Sequence, residues 1–169
     1  TFEAASSAKI QLGLENNIVL STFGLLSPNK GVEYAIRALP PLVRHYPNLL
    51  YLVMGATHPN IRQHEGERYR NFLQKEVKRL NLHKNVKFYN KYLSLNEIIA
   101  YLKATDVYLA TALGKEQSVS GTLSYALGCG RPVISTATSY ARHLISDDRG
   151  RLVKFRNSKE VTEALLTVL

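Results

Sequence analysis

Short apolar runs and longer amphipathic stretches alternate along the chain. Six runs are mostly apolar without regular polar alternation, which is typical of strands buried on both faces of a sheet. These predicted strands span residues 18–23, 49–54, 86–89, 107–110, 132–135 and 152–155. The spacing of apolar positions between and after them predicts helices over residues 31–45, 65–80, 95–104, 120–127, 140–145 and 158–169.

Local signals support several of these helices. Ser94 with Glu97, and Asn157 with Glu160, have the spacing of a capping box at a helix start. Two consecutive prolines at positions 40 and 41 should kink or interrupt the first predicted helix.

The strict alternation of strand and helix predicts an α/β fold. Such a pattern gives a parallel sheet with helices on both faces, a three-layer Rossmann-like domain. With six strands, we expect the doubly wound order 3-2-1-4-5-6. Residues 17–169 would form this single domain and residues 1–16 a lead-in or linker. Both ends have the pattern of a domain cut from a longer protein.

Composition narrows the possible partners. The chain has 169 residues with 22 basic and 13 acidic side chains, a net charge of +9. This excess favours an anionic partner such as nucleic acid, phospholipid or a phosphorylated ligand, although a solvated basic surface is an equal alternative. The single cysteine, Cys129, fits a reducing compartment, and no signal peptide or membrane span is evident. We therefore expect a cytoplasmic domain.

The predicted fold by itself indicates where a ligand would bind, without reference to any sequence motif. In doubly wound sheets the ligand binds at the carboxyl ends of the strands where the strand order reverses, here strands 1 and 4. The loops after these strands, residues 24–31 and 111–121, are rich in Gly, Ser and Lys. In the first loop, Gly24 allows a tight turn and Lys30 lies at a helix start, an arrangement suited to phosphate. A turn with a solvated lysine is the alternative.

The second loop carries an isolated acid, Glu116, just before a predicted helix start. Its carboxylate could accept hydrogen bonds from sugar hydroxyls. The unpaired N–H groups of the following helix start favour phosphate. Ser118 and Ser120 could instead simply cap the helix.

Other chemistries lack their motifs. A Walker loop, a G-x-G-x-x-G fingerprint, zinc-ligand spacing of the five histidines and a G-x-S-x-G elbow are all missing from the sequence. No RNP or zinc-finger motif supports nucleic-acid binding. We therefore expect no metal and no nucleic-acid partner. The charged run at residues 65–70, EGERYR, suggests a salt-bridged helix face.

Four stretches in order resemble one family. They are TFGLLSPNKGVEYAIRAL, YLVMGATHPN, NVKFYNKYLSLNEIIAYLKATDVYLATAL and KEQSVSGTLSYALGCGRPVIST. Together they are similar to the C-terminal domain of retaining glycosyltransferases of family four, which have the GT-B fold. The mannosyltransferase-like branch is the most similar, and the resemblance runs from about residue 17 onward. It implies the half that binds a nucleotide-sugar donor. An N-terminal domain, absent from this chain, would hold the acceptor across a cleft.

The resemblance assigns roles at five positions. Gly24 and Lys30 match a loop that grips the donor pyrophosphate, but Leu25 stands where the family has arginine. Glu116 matches the first acid of a Glu-x7-Glu motif, which holds the donor-sugar hydroxyls. Ser124 occupies the position of the second acid, which holds the ribose.

Two more groups of donor contacts are implied by the resemblance. The distal phosphate would be bound at the helix start by Gln117, Ser118 and Val119, with Ser120 beside them. The base would lie near the loop after the third strand, at Tyr89, Asn90 and Lys91.

The implied reaction is transfer of a hexose, with mannose favoured, from a nucleoside-diphosphate sugar with retention at the anomeric carbon. Glu116 and Lys30 would be the catalytic residues, and no metal or other cofactor is expected. The acceptor would be a glycan or a lipid-linked sugar, and the enzyme could touch an anionic membrane on its inner face. The isolated domain should bind donor without efficient turnover. Two alternatives stay open: a non-catalytic nucleotide or nucleotide-sugar binding module, and a basic domain that binds nucleic acid or a membrane surface.

Overall fold

The computed structural model describes residues 2–114 and 121–169. Its strands are β1 (Ile18–Phe23), β2 (Leu49–Met54), β3 (Val86–Tyr89), β4 (Val107–Ala110), β5 (Val133–Thr136) and β6 (Gly150–Val153). Its helices are α1 (Phe2–Leu12), α2 (Val32–Arg37), α3 (Leu39–His45), α4 (Pro59–Glu65), α5 (Arg68–Arg79), α6 (Leu95–Lys103), α7 (Gly121–Gly128), α8 (Ser139–Leu144) and α9 (Ser158–Val168).

The strands form one parallel sheet in the order β3-β2-β1-β4-β5-β6, as predicted. Apolar side chains of α2, α3, α5 and α9 pack on one face of the sheet. Those of α1, α6, α7 and α8 pack on the other. β2 is buried along its whole length, which explains its continuous apolar run, since both of its faces are covered by helices.

The predicted elements differ from the observed ones mainly at their ends. The long first helix divides at Ala38 into α2 and α3, because the prolines begin a new helix rather than continue the old one. The helix predicted to begin at Glu65 begins at Arg68. Gly66, with φ 61°, separates it from α4, which was not predicted. β5 and β6 lie one and two residues away from their predicted positions.

The segment predicted as a lead-in or linker is helical from Phe2 to Leu12 and packs on the domain. Lys9 Nζ lies 2.6 Å from Asp106 Oδ2, and the same oxygen accepts a hydrogen bond from Val19 N at 2.8 Å. Leu14, after the helix, is buried in the core. An ion pair and a buried apolar residue therefore tie the segment to the strands.

One predicted capping box is complete and the other is half formed. Glu97 N donates to Ser94 Oγ at 3.2 Å, and Ser94 N donates to the Glu97 carboxylate at 3.3 Å. At α9, Asn157 accepts from Glu160 N at 3.0 Å. The Glu160 carboxylate instead accepts from Lys154 N at 2.6 Å. The Glu160 carboxylate therefore holds the backbone after β6 and does not complete the capping box of α9.

Glu76 on α5 should make folding sensitive to acid. Its side chain is 11% exposed and accepts hydrogen bonds from Arg79 and Arg37, which lower its pKa from 4.5 to about 2. A carboxyl with a depressed folded-state pKa contributes stability above pH 4.5, and this is lost as pH falls from 4.5 toward 2. We expect Glu76→Gln to lower the free energy of unfolding at pH 7 by about 1–3 kcal/mol, since Arg79 is largely exposed.

Urea denaturation at several pH values measures this effect. The difference between Glu76→Gln and the native protein should shrink as pH falls from 4.5 toward 2. Glu65→Gln, at an exposed position, is the control and should change stability by less than about 0.5 kcal/mol. A difference for Glu76→Gln that is constant from pH 7 to pH 3 would contradict the assignment.

Candidate functional site

The loops after β1 and β4 are joined at the carboxyl edge of the sheet. Leu113 N donates to Asn29 O at 2.9 Å, and Thr111 Oγ1 donates to Gly31 O at 2.9 Å. Gly31 has φ 59°, and a Cβ built on it would lie 2.3 Å from Thr111 O. Only glycine fits this left-handed position against another backbone. The two loops predicted to border the ligand site are therefore in contact.

Lys30 extends across its own loop to Gly24. A Cβ built on Gly24 would lie 2.7 Å from Lys30 Nζ and 3.2 Å from Thr122 Cγ2. Gly24 has φ 121°, a conformation that side chains rarely adopt. The structure therefore brings Gly24 and Lys30 together, as predicted from their sequence positions, and adds the first turn of α7 through Thr122.

The ammonium of Lys30 is a partly buried charge. Across residues 2–114 and 121–169, no side chain or carbonyl forms a hydrogen bond or ion pair with its Nζ. Loss of hydration on burial lowers the pKa of Lys30 from 10.5. An unpaired charge in such a position is costly to folding. An anion bound at Gly24 would offset that cost.

The loops after β1 and β2 continue the sheet beyond its strands. Gly24 N donates to Met54 O at 3.0 Å, and Leu26 N donates to Ala56 O at 2.9 Å. The backbones approach so closely that a Cβ on Gly55 would lie 1.9 Å from Gly24 O. This contact fixes the separation of the two loops.

A cavity of about 180 Å³ opens between the ends of β1, β2 and β3. Its lining residues are Phe23, Gly24, Leu25, Met54, Gly55, Ala56, Lys91, Tyr92, Leu93 and Ile98. Pockets that enclose a whole small-molecule ligand usually measure about 300–1,000 Å³. This mostly apolar cavity is therefore suited to one ring system of a larger ligand.

Larger clefts among the described residues lie away from this edge. One of about 460 Å³ runs between α7 and α8, one of about 490 Å³ lies along α5, and one of about 360 Å³ lies at the opposite edge of the sheet, beside Ile18 and Val107. The described parts of the loops after β1 and β4 line none of them. We therefore place the candidate site at the smaller cavity, where the topology predicts ligands and Lys30 lies nearby.

The predicted base-binding loop borders this cavity. Lys91 lines it, and Tyr89 O accepts a hydrogen bond from Gly55 N at 2.9 Å. The Tyr89 ring packs on Tyr101 with 5.7 Å between centroids, and burial raises the pKa of the Tyr89 hydroxyl. Asn90 is exposed beside them. Tyr89 supports the cavity through its backbone, whereas Lys91 lies at its wall.

Ser124 lies elsewhere on α7. Its hydroxyl is 2.5 Å from the Tyr140 hydroxyl, in the cleft between α7 and α8. Thr122, two residues closer to the start of α7, is the residue that approaches Gly24. The remaining predicted site residues lie outside the described residues: Glu116, Gln117, Ser118, Val119 and Ser120. Their assigned roles stay predictions.

Residues of the site that were not identified from the sequence include Thr122, Tyr92 and Ile98. Thr122 shares the inward face of α7 with Ala126, so helical periodicity could have indicated it. Tyr92 and Ile98 line the cavity from the segment after β3. Tyr92 is 69% exposed, and a large aromatic next to Lys91 in a loop at the carboxyl edge was an available signal.

These features define a doubly wound α/β domain with a lysine at its switch point. The chain belongs to the glycosyl transferases group 1 family, whose model matches residues 4–169. The resemblance to glycosyltransferases is thereby confirmed.

A curated relative is a phosphatidyl-myo-inositol mannosyltransferase from Propionibacterium freudenreichii subsp. shermanii. It is 28% identical over 145 residues, which are 84% of this chain and 32% of the relative. The chain thus spans about a third of that protein's length.

Solved structures share the fold. Anabaena Alr3699/HepE, solved in complex with UDP and glucose, is 25% identical with a TM-score of 0.81, over 99% of this chain and 42% of that one. The C-terminal domain of LpcC, a glycosyl transferase group 1 family protein from Francisella tularensis, is 20% identical. Its TM-score is 0.81, over 97% of this chain and 81% of that one. The predicted fold, one half of a GT-B architecture, is confirmed.

The described residues contain neither a membrane-spanning helix nor a cluster of metal ligands. No helix in residues 2–114 or 121–169 is long and apolar enough to cross a membrane. Within the same ranges, no three His, Cys, Asp or Glu side chains are grouped to hold a metal ion.

Proposed function

We propose that this chain is the donor-binding half of a retaining hexosyltransferase. It would bind a nucleoside-diphosphate sugar, with mannose favoured, for transfer to a glycan or lipid-linked acceptor held by a second domain. The observation that carries this proposal is the desolvated Lys30 ammonium against Gly24, which has no protein partner in the described residues. A nucleoside diphosphate would supply negative charge at this position.

Lys30 would act on the leaving group. When the bond between the anomeric carbon and the diphosphate breaks, negative charge develops on the departing phosphate. A fixed cation in a poorly hydrated site stabilises that charge more than water does, and it needs little reorganisation. The absence of a Cβ at Gly24 leaves space for the ammonium beside the backbone, where a phosphate oxygen could reach it.

The 180 Å³ cavity would take the nucleobase. Gly24 lines it and also lies near the Lys30 ammonium, which is 2.7 Å from a Cβ built on Gly24. Its apolar walls suit the faces of a planar ring, and the exposed Tyr92 ring could stack on it. A base there and a diphosphate at Lys30 would be held by the same loop.

Leu25 stands where the resemblance implies an arginine. It lines the cavity with an apolar side chain. We infer that the diphosphate is held by Lys30 and by the backbone at the start of α7, without a bidentate guanidinium contact. Donor binding is then weaker than in relatives that keep the arginine.

The proposal of a mannosyl donor rests on similarity. The Propionibacterium relative is named as a mannosyltransferase, whereas the Anabaena structure contains UDP and glucose. Calorimetric titration of the full-length protein with UDP, GDP, UDP-glucose, GDP-mannose and a short DNA duplex tests both points. We expect the strongest binding for a nucleoside diphosphate or its sugar. Binding of DNA alone would overturn the proposal.

Glu116→Gln tests the part of the site that binds the sugar. We expect the affinity for the free nucleoside diphosphate to change less than twofold. Loss of a charge-assisted bond to a sugar hydroxyl should weaken binding of the matching nucleotide sugar by about tenfold. Glu65→Gln serves as the control for removal of one acid. Equal loss for the nucleotide and the nucleotide sugar would exclude a sugar-specific role.

A non-catalytic nucleotide-binding module is the second candidate, and Leu25 is the observation that favours it. Single-turnover transfer or hydrolysis of the bound donor by the full-length protein separates the two. The enzyme should release the nucleoside diphosphate from the donor, and the module should bind it unchanged. The chain without its acceptor domain should bind donor with little turnover.

A further inference from the structure

The start of α5, within the run predicted to form a salt-bridged helix face, carries two buried side chains. Tyr69 is 6% exposed and Arg70 is 4% exposed, whereas Arg68 between Glu67 and Tyr69 is on the surface. The predicted salt bridge is present, with Arg70 Nε 3.2 Å from the Glu67 carboxylate, but residues 69, 70 and 73 are buried against the rest of the domain. The burial of the polar groups of two consecutive residues, Tyr69 and Arg70, therefore needs a structural explanation.

Tyr69 holds the end of the loop that carries Lys30. Its hydroxyl accepts a hydrogen bond from Val32 N at 3.0 Å and donates to the Glu33 carboxylate at 2.5 Å. Gly31, which precedes α2, has no side chain to cap that helix, so the hydroxyl of Tyr69 takes this role. Burial and the Glu33 carboxylate raise the pKa of Tyr69, which keeps the hydroxyl protonated as a donor.

Arg70 holds the loop after β2. Its Nη2 donates to Gly55 O at 2.7 Å and its Nε to Glu67 at 3.2 Å. Glu67 in turn accepts from Thr57 Oγ1 at 2.7 Å, and this bond, followed by the one from Arg70, lowers the pKa of Glu67. Arg70 and Glu67 thus fix both ends of the segment from Gly55 to Thr57.

The two restraints act on the two parts of the candidate site. The loop that Tyr69 holds supplies Lys30, next to the position proposed for the diphosphate. The segment that Arg70 holds supplies Gly55, which lines the cavity proposed for the base. Adjacent residues of one helical turn therefore set both halves of the site relative to the same helix.

Packing alone does not account for an arginine at position 70, because burying its guanidinium costs folding free energy. Its Nη1 is buried and has no hydrogen-bond partner in the described residues. A buried donor left unsatisfied costs folding free energy, and an apolar side chain at this position would avoid that cost. The geometry favours a role for Arg70 in placing the carbonyl of Gly55 and the loop around it.

We propose that Tyr69 and Arg70 are positioning residues of the donor site, Tyr69 for the diphosphate and Arg70 for the base. This inference rests on the proposed function, because it needs a nucleotide to bind at Lys30 and in the cavity. Neither side chain would touch the ligand. Each would act by holding a loop that does.

The test measures the dissociation constants of uridine and UDP, and of guanosine and GDP, for the full-length protein and its variants. The ratio of the nucleoside constant to the nucleoside-diphosphate constant reports the contribution of the diphosphate. We expect Tyr69→Phe to lower this ratio by about fivefold and leave the nucleoside constant within about twofold. We expect Arg70→Lys to weaken nucleoside and nucleoside diphosphate by the same factor, about fivefold, and leave the ratio unchanged.

Two further variants keep the test decisive. Thr57→Val weakens the same restraint as Arg70→Lys by removing the hydrogen bond from Thr57 to Glu67, without altering a charged side chain, and should show the same pattern. Tyr46→Phe removes a hydroxyl from a partly buried tyrosine on the same side of the sheet, away from both loops, and should alter neither constant. A purely structural role would lower the melting temperature and leave all constants unchanged.

The outcomes separate this inference from the proposed function. If the native protein binds none of the four compounds, both fail. If the native protein binds UDP or GDP and the variants bind with unaltered constants and ratios, only the positioning role is overturned. A loss of the diphosphate contribution in Tyr69→Phe but not in Arg70→Lys or Thr57→Val supports it.

Discussion

Replacing Lys30 by methionine is expected to weaken the binding of nucleoside diphosphates by about 10- to 100-fold. A hydrogen bond between charged groups contributes about 1.5–3 kcal/mol, and each 1.4 kcal/mol is a factor of ten. Methionine is unbranched and nearly as long as lysine, but it lacks the charged terminal nitrogen that lies closest to Gly24. The affinity for the bare nucleoside should therefore change less than twofold. Calorimetric titration with UDP and uridine, and with GDP and guanosine, measures both.

The same substitution should not destabilise the protein. Since burial lowers the folded-state pKa of Lys30 from 10.5, the folded protein bears the cost of the buried charge at neutral pH. This cost disappears as pH rises through the lowered pKa toward 10.5. Lys30→Met should therefore be at least as stable as the native protein at pH 7, with an advantage that shrinks toward pH 10.5.

Lys75→Met is the control for this experiment. Lys75 is exposed on α5, away from the site, so its loss removes one positive charge without changing the loop. It should leave nucleotide affinity within about twofold. Similar losses of affinity in the two variants would attribute binding to net charge and contradict a specific role for Lys30.

Gly55→Ala is expected to lower the free energy of unfolding by about 3–5 kcal/mol. The added Cβ would lie 1.9 Å from Gly24 O, a contact that only movement of the backbone can relieve. Gly55 also has φ 150°, which an alanine adopts only with strain. Backbone strain and overpacking each cost about 1–3 kcal/mol. Urea denaturation measures the loss, and nucleotide binding should disappear with it.

Substitutions at two other glycines separate the effect of backbone strain from that of the close contact with Gly24. Gly66 has φ 61°, and a Cβ added there would meet no heavy atom of the described residues within 4 Å, so Gly66→Ala should cost only about 1 kcal/mol. Gly128, at the end of α7, has neither positive φ nor a close neighbour among the described residues, and Gly128→Ala should cost nothing. A small effect of Gly55→Ala, equal to that of Gly66→Ala, would show that the loops after β1 and β2 can move apart.

The order of the strands and the location of the site were predictable because they depend on patterns along the chain. Buried parallel strands such as β2 leave continuous apolar runs, and the crossover rule then limits the topology. Lys30 and Gly24 were identified by the same reasoning, since both follow the first strand at the switch point. The break at the two prolines was equally local, because proline cannot continue a helix.

The orientation of α7 was not predictable from a motif. The ribose contact that the resemblance implies for Ser124 stays a prediction, and in the structure its hydroxyl lies against that of Tyr140. Thr122 is directed to Gly24 instead. A difference of two residues along a helix turns the side chain by more than half a circle. Which face meets the sheet depends on packing of the whole helix, which a motif does not specify.

The sequence alone determined the alternation of elements, the parallel sheet, its switch point and the presence of a cation there. Only the tertiary structure decided that Lys30 has no protein partner in the described residues, that Gly55 meets Gly24, and that Tyr69 and Arg70 are buried. The reason is physical. Periodicity and turn chemistry act between residues close in the chain, whereas desolvation and close backbone contact depend on segments that are distant in sequence and adjacent in space.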